Sequence, residues 1–372
     1  MGNVPNLRFP EFSGEWENCQ IANILSIGSG RDYKHLEKGN IPVFGTGGYM
    51  TSVNECIYDG ETTFIGRKGS INKPFYYNGK FWTVDTLFYT HSFNKTTPKF
   101  VYCLFQTINW LRYNEASGVP SLSKDTIEKI KVFIPQLDEQ RKISEMLSVI
   151  DERIATQNKI IEKLQSLIRG LSDNIHRDIK GETVCFSGVG EAYSGLSGKS
   201  GDDFGDGEPF ITYMNVYQNT YISEKDYEFV QIAPNERQNC VQYGDALFTL
   251  SSETPEEVGI GAVYLGNTQK LYLNSFCFGI HFYDERVLPQ YLAHFISSSS
   301  FRRAIYPLAQ GSTRFNLQKN DFMKMKFVLP TLEEQERIAK TLDALHYCMA
   351  NEKSLLEQYI LLKRYLLSQM FI

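Results

Sequence analysis

One fourteen-residue segment of this chain occurs twice. Residues 134–147 read IPQLDEQRKISEML and residues 329–342 read LPTLEEQERIAKTL. At an offset of 195, Pro135 falls on Pro330, Leu137 on Leu332, Glu139-Gln140 on Glu334-Gln335, Ile143 on Ile338 and Leu147 on Leu342. Upstream, Leu122, Lys124 and Ile127 match Leu317, Lys319 and Phe322, and Ala116-x-Gly118 matches Ala309-x-Gly311 with two extra residues in the second copy. A repeat of this length requires two copies of one structural plan, so it dictates architecture before any local propensity is weighed.

Each copy runs on into a long apolar stripe. In the first, Ile143, Leu147, Ile150, Ile154, Gln157, Ile161, Leu164, Ile168, Leu171 and Ile175 follow one another at alternating steps of four and three. In the second, Ile338, Leu342, Leu345, Met349, Glu352, Leu356, Tyr359, Lys363, Leu366 and Met370 take the equivalent places. That alternation is the signature of a coiled-coil seam. The polar positions Gln157 and Glu352 coincide, which predicts that the seams face each other at one level. Each helix is expected to cover about 33 residues, roughly 50 Å. Pro135 and Pro330 suit a sharp helix start, since proline is tolerated only around the first turn.

The stretches between the seams are rich in Phe, Tyr, Gly, Asn and Thr, with short β-type runs at Thr62–Ile65, Phe81–Tyr89, Phe210–Asn215, Asp245–Leu250 and Cys277–Phe282. Asn78-Gly79 and Tyr58-Asp59-Gly60 read as turns. The Gly/Ser/Asp-rich stretch 187–208 reads as a flexible loop. The predicted fold is α+β: strand-rich globules at 1–133 and 181–328 and long helices at 134–180 and 329–372 whose seams face each other as a coiled coil.

The chain of 372 residues holds seven single cysteines without a Cys-x-x-Cys pair, which predicts reduced thiols and neither a disulfide framework nor a zinc site. Its six histidines are equally isolated in sequence and read as satisfied core residues. No long apolar run predicts a membrane span, and Met1–Asn6 resembles neither a signal peptide nor a myristoylation signal. A cytoplasmic location is therefore expected. The formal charge of −5 is unusual for a nucleic-acid binder, but it is uneven: residues 1–133 carry 14 basic and 12 acidic side chains, residues 181–328 carry 11 and 17. A chain this acidic would bind duplex weakly alone, because phosphate neutralisation supplies most non-specific affinity. A DNA reader of this kind would borrow positive surface from a partner.

Catalytic motifs are approached and missed. Phe186-Ser187-Gly188-Val189-Gly190 has the spacing of an S-adenosylmethionine loop, yet Gly, Ser and Asp follow where a helix should begin. Gly198-Lys199-Ser200 resembles the end of a P-loop, but Tyr193 stands where the first glycine belongs. Asn72-Lys73-Pro74-Phe75 lacks the first proline of the methyltransferase Asn-Pro-Pro-Phe turn. Asp178-Ile179-Lys180 lacks an upstream acidic partner for a nuclease metal.

These residues together resemble the specificity subunit of type I restriction–modification systems. The resemblance rests on the opening Leu7-Arg8-Phe9-Pro10-Glu11-Phe12-Ser13-Gly14-Glu15-Trp16, on Pro-x-Leu-x-Glu-Gln-x-x-Ile-x-x-x-Leu at 135–147 and 330–342, and on Ile65–Ser70 and Tyr243–Phe248. It covers essentially the whole chain. It implies two target recognition domains at opposite ends of the long helices packed as an antiparallel coiled coil with a pseudo-twofold internal repeat, each domain reading one half of a split double-stranded DNA target, with the helix pair setting the gap. It also implies two adenine-methyltransferase subunits, which bring S-adenosylmethionine and base flipping, and restriction/translocase subunits, which bring ATP. In this chain itself no catalytic residue, cofactor or metal is then expected.

Candidate DNA contacts follow from residue chemistry. In the first globule Arg67, Lys68, Ser70 and Lys73 place cations beside a glycine-flanked loop; arginine can grip guanine O6/N7 while lysine more often meets phosphate. In the second, Ser251, Ser252, Thr254 and Arg314 are base-reading candidates, and Arg302-Arg303 phosphate contacts. The helix-pair candidates are the seam residues Ile143, Leu147, Ile150, Ile154, Ile161, Leu164, Ile338, Leu342, Leu345, Met349, Leu356 and Tyr359. Two other classes compete. A coiled-coil adaptor with two protein-binding globules would bind neither DNA nor S-adenosylmethionine, and a stand-alone methyltransferase would bind S-adenosylmethionine by itself.

Overall fold

The computed structural model describes residues 2–372. The backbone forms two compact units, one running up to Lys159 and including Lys353–Ile372, the other spanning Ile160–Glu352. Both are α+β, as the sequence predicts, and each long helix contributes a part to both.

In the first unit a six-stranded sheet has the order Ser26–Ser29, Leu87–His91, Tyr58–Gly66, Phe75–Thr83, Lys38–Gly45, Gly48–Val53. It is antiparallel except where Val43 and Phe44 pair in parallel with Trp82 and Thr83. Two turn signals prove to lie within paired strands: Gly60 stands opposite Gly79, with φ of 145° and 132°. Side-chain-bearing residues rarely adopt that backbone, and with glycine at both positions the ladder runs on without a register shift. The Phe81–Tyr89 run is split instead, because Leu87 N–H turns back to the Val84 carbonyl at 3.0 Å. The helix Pro98–Thr107 is capped by Thr97, whose hydroxyl accepts from Phe100 N–H, and buries Phe100, Val101, Cys103, Leu104 and Phe105.

The second unit has a four-stranded sheet in the order Gly190–Ser194, Cys277–Phe282, Ala246–Thr249, Gly261–Val263, with smaller sheets beside it. The stretch expected to be a flexible loop supplies the edge strand Gly190–Ser194. Tyr193 anchors it, donating to Asp245 at 2.7 Å, and the same carboxylate takes His281 Nδ1 at 2.6 Å. The run Phe210–Asn215 stops as a strand at Ile211, because Thr212 accepts from Asn215 N–H and starts the helix Tyr213–Gln218. Phe186, in the would-be cofactor loop, is buried among Phe248, Phe301, Phe322 and Phe327. Lys199, in the would-be P-loop, is held by Glu236 at 2.5 Å and the Gln231 carbonyl at 2.6 Å.

The long helices run Leu137–Asp178 and Leu332–Met370, 42 and 39 residues. At 1.5 Å per residue they measure about 63 and 58 Å, longer than the periodic stripe alone suggested. Acidic residues occupy both first turns, and His176 and Arg177 the last turn of the first helix, matching the macrodipole. The 3–4 stripe is the shielded face: Ile143, Leu147, Ile150, Ile161, Ile338 and Leu342 are buried, while Ile154, Leu164, Leu345, Met349, Leu356 and Tyr359 are half-buried. In the first unit Ile143, Leu147 and Ile150 share a core with Leu366, Leu367 and Met370, and Lys363 reaches Asp151 at 2.5 Å. In the second, Ile338, Ala339 and Leu342 share a core with Leu171, Ile175 and Ile179. Within each unit the start of one helix lies beside the end of the other, an antiparallel arrangement.

The repeated motif is also repeated in space. Lys131–Ile134 and Lys326–Leu329 are strands, pairing antiparallel with Glu17–Gln20 and Glu182–Cys185. The motif glutamine then fastens each helix to its globule. Gln140 Oε1 accepts from Thr97 N–H (3.1 Å) and the Thr96 hydroxyl (3.0 Å), and its Nε2 donates to the Lys95 and Pro135 carbonyls, both at 2.9 Å. Gln335 Oε1 accepts from Leu288 N–H at 2.8 Å, and its Nε2 donates to the Arg286 and Pro330 carbonyls at 2.7 and 2.8 Å. Both glutamines are fully buried.

Candidate nucleic-acid interface

In the first unit, strand Tyr58–Gly66 leads into Arg67–Ser70, and that loop is pinned through its backbone. Arg67 and Lys68 N–H both donate to the Thr86 carbonyl (2.8 and 3.2 Å), Leu122 N–H to the Arg67 carbonyl (2.9 Å), and Gly69 N–H to the Pro120 carbonyl (2.9 Å). Gly69 has φ +85°. A side chain on Gly66 would meet the Ser70 carbonyl at 2.5 Å, so the glycines permit the tight path. Arg67 is half-buried; its guanidinium donates weakly to the Asp85 carbonyl at 3.3 Å and sits 5.9 Å from the Phe88 ring centre. Lys68, Ser70 and Lys73 are exposed, and among the described residues neither lysine has an ion-pair partner. The turn Gly45–Gly48 adjoins this loop through Thr46, whose hydroxyl lies 3.8 Å from the Cβ position of Gly69. It presents Tyr49 and Met50, both exposed. An aromatic and a thioether at a hairpin tip beside unpaired lysines suit contact with base edges and backbone together.

In the second unit three of the predicted residues meet in one cleft of about 310 Å³: Ser251, Ser252 and Arg314, with Tyr213, Tyr217, Glu257 and Phe276. Ser251 and Ser252 form a short strand paired to Phe315 and Asn316, which brings Arg314 alongside. The Arg314 guanidinium lies 5.9 Å from the centre of the exposed Phe276 ring. Ser252 donates to Glu257 at 3.1 Å and Tyr217 donates to the same carboxylate at 2.7 Å; Thr254 N–H donates to Ser252 Oγ at 3.3 Å. The hydrogen bonds from Tyr217, then those of Ser252 and Thr254, hold the Glu257 carboxyl below its ordinary range, so it is an anion at neutral pH. A fixed carboxylate accepts from the exocyclic amino groups of bases and repels phosphate. Tyr213 went unnoticed because Phe210–Asn215 reads as a strand, and Tyr217 and Glu257 because 40 residues separate these partners in sequence.

Arg302 is corrected by its surroundings. Expected at phosphate, its guanidinium instead donates to the carbonyls of Gly259, Glu256 and Val258 at 2.6, 2.7 and 2.6 Å. It ties the helix Ser299–Ile305 to that loop. Its neighbour Arg303 is exposed. Three of the histidines that looked isolated also converge: His176, His294 and His346 gather in the second unit, with His294 Nε2 2.8 Å from Asp343. Among the described residues no group of three or more His, Cys, Asp or Glu is placed to hold a metal ion. No helix of the described residues is long and apolar enough to cross a membrane.

Residues 13–166 and 182–359 each match the type I restriction modification DNA specificity domain. The chain belongs to the type I restriction–modification specificity family. As a specificity subunit it recognises DNA sequence and is the non-catalytic component of its complex. It is 22% identical over 367 residues to a type I restriction enzyme specificity subunit of Haemophilus influenzae, covering 88% of this chain and 86% of that one. It is 24% identical over 273 residues to the MjaVIII specificity subunit of Methanocaldococcus jannaschii, covering 66% and 62%. Its fold matches the S subunit of a type I system from M. genitalium with a TM-score of 0.66 over 99% of both chains, at 13% identity.

Proposed function

We propose that this specificity subunit reads a bipartite duplex target, each unit reading one half and the two long helices setting the gap between them. The observation that carries the proposal is the duplicated plan: each unit holds one copy of the motif, one glutamine fastening and the start of one long helix, and bears its own polar loop cluster. In this reading the first half-site meets Arg67 and Ser70, with Lys68 and Lys73 on the adjoining phosphates. The second meets Ser251, Ser252, Thr254 and Arg314, with Arg303 on phosphate. Two adenine-methyltransferase subunits dock on the chain and bring S-adenosylmethionine; restriction/translocase subunits bring ATP. The complex works in the cytoplasm. The charge of −5 supports this division, because the partners then supply most of the positive surface that duplex binding demands.

The test is to map methylated adenines in cells making this subunit with its methyltransferase, before and after exchanging residues 181–328 for those of a relative. One half of the target should change and the other persist. Exchange that altered both halves, or neither, would refute a separate reader in each unit.

A further inference from the structure

The two copies of the motif differ in what covers them. In the first unit the segment Arg8–Trp16 lies on the start of the long helix. Arg8 grips Glu139 with two parallel bonds, at 2.8 and 2.7 Å, and the Trp16 indole N–H donates to the same carboxylate at 3.3 Å. Three residues along the helix, Lys142 pairs with Glu11 and lies 4.8 Å from the Phe9 ring centre. An arginine and a carboxylate three residues apart thus meet a carboxylate and a cation three residues apart. The side chain of Glu139 is 2% exposed.

The second unit repeats the helix half of this arrangement without the segment. Glu334 and Arg337 stand at the positions of Glu139 and Lys142, but among the described residues they pair only with each other, at 2.5 and 2.9 Å, with 37% and 70% of their side chains exposed. Beside them is a cleft of about 470 Å³, walled by Asn174, Ile175, Asp178 and Thr331. The chain cannot supply the missing ring from its own equivalent position. Gly181 precedes strand Glu182–Cys185 where Trp16 precedes Glu17–Gln20, and a side chain there would strike the Leu329 carbonyl at 2.1 Å. Tyr291 replaces Phe100, third in the equivalent helix, and its buried hydroxyl has no hydrogen-bond partner among the described residues.

We propose that the cleft at Glu334 and Arg337 docks a polypeptide segment of another protein carrying an arginine and a carboxylate three residues apart next to an aromatic ring. Charge complementarity selects that chemistry, and Arg8–Trp16 is its template within the molecule. A second copy of this chain is not the occupant, because its own segment is already held in its first unit. Opening the Glu334–Arg337 pair costs little, since it is a surface pair within one helical turn.

The probe is a labelled peptide of the sequence NLRFPEFSGEW, titrated into the full-length chain and followed by fluorescence anisotropy. Saturable binding is expected, weakened about tenfold or more by Glu334→Gln and by Arg337→Gln. A peptide with its arginine and first glutamate exchanged should lose affinity for the wild-type chain and regain it on the Glu334→Arg/Arg337→Glu variant. That rescue separates recognition from misfolding. Absent binding, or binding that Glu334→Gln leaves unchanged, would overturn the proposal. Self-association of the chain abolished by Glu334→Gln would overturn it too, by giving the cleft to a second copy.

Discussion

Gln140 and Gln335 do the same work 195 residues apart. Each accepts from the backbone N–H immediately before a helix-starting proline and donates to the carbonyl two residues earlier, at Thr97 and Lys95 in one unit and Leu288 and Arg286 in the other. Each also closes on the proline that precedes its own helix. The motif is thus a fastening between a long helix and the first turn of a domain helix.

Replacing Gln335 with Leu should therefore destabilise the second unit. It leaves Leu288 N–H and two carbonyls without partners in a buried place, and each unsatisfied group costs about 1–3 kcal/mol. A loss of at least about 2 kcal/mol by denaturant unfolding is expected, against under about 0.5 kcal/mol for the exposed Glu336→Gln. Equal effects would contradict the fastening role.

Arg67 and Lys73 should fail differently. If the Arg67 fork reads a base, Arg67→Ala should relax discrimination at one position by roughly 1–3 kcal/mol and leave the other half-site intact. Lys73→Ala should weaken all sequences alike and reduce the salt dependence of binding by about one counterion. Competition binding by the assembled complex across salt concentrations measures both; unchanged selectivity in Arg67→Ala would remove it from the reading set.

The adjacent arginines 302 and 303 make a sharper pair. Arg302→Ala should lower thermal stability, because three carbonyls lose a charged donor, whereas Arg303→Ala should leave stability alone and weaken DNA binding. The reverse result in melting and binding would show the two roles exchanged.

Acid should loosen the second unit. Burial pushes His176 and His294 below the usual imidazole value near 6.5, despite the raising influence of the Ser172 carbonyl on the first and Asp343 on the second. Both are therefore favoured neutral in the fold. Their contribution is fully present above about pH 6.5 and is lost as pH falls through the lower folded values. Phe371 fills the place of His176 in the first unit, stacked on Phe100 as His176 stacks on Tyr291. The variant His176→Phe should lose less stability than wild type between pH 8 and pH 5 in urea unfolding. Parallel losses would exclude His176 as a source of the acid sensitivity.

Periodicity carried the helices, because a seam that must be buried cannot hide its spacing: every stripe position from Ile143 to Ile175 is buried or half-buried. Local turn chemistry misled, because glycine is ambiguous. Gly60 and Gly79 sit within a ladder, and the Gly/Ser stretch at 190–194 is a strand made by its partner Cys277–Phe282. At the candidate interface, residue type picked out Arg67 and Arg314 but could not separate Arg302 from Arg303. Only the loop Glu256–Gly259, folding back over the first of them, does that. The glutamine of the repeated motif was visible as a repeat, and its role was not, because its partners lie 43 and 47 residues away.

The reading of the helices as a spacer is tested most directly by lengthening both. Seven residues inserted near Gln157 and seven near Glu352 keep each apolar stripe continuous and add about 10.5 Å, or roughly three base pairs of duplex rise. Methylated adenines are then mapped in cells making the altered subunit with its methyltransferase. Both half-sites should persist while the gap between them grows by roughly three base pairs. An unaltered gap in a folded, active double-insertion variant would contradict the account.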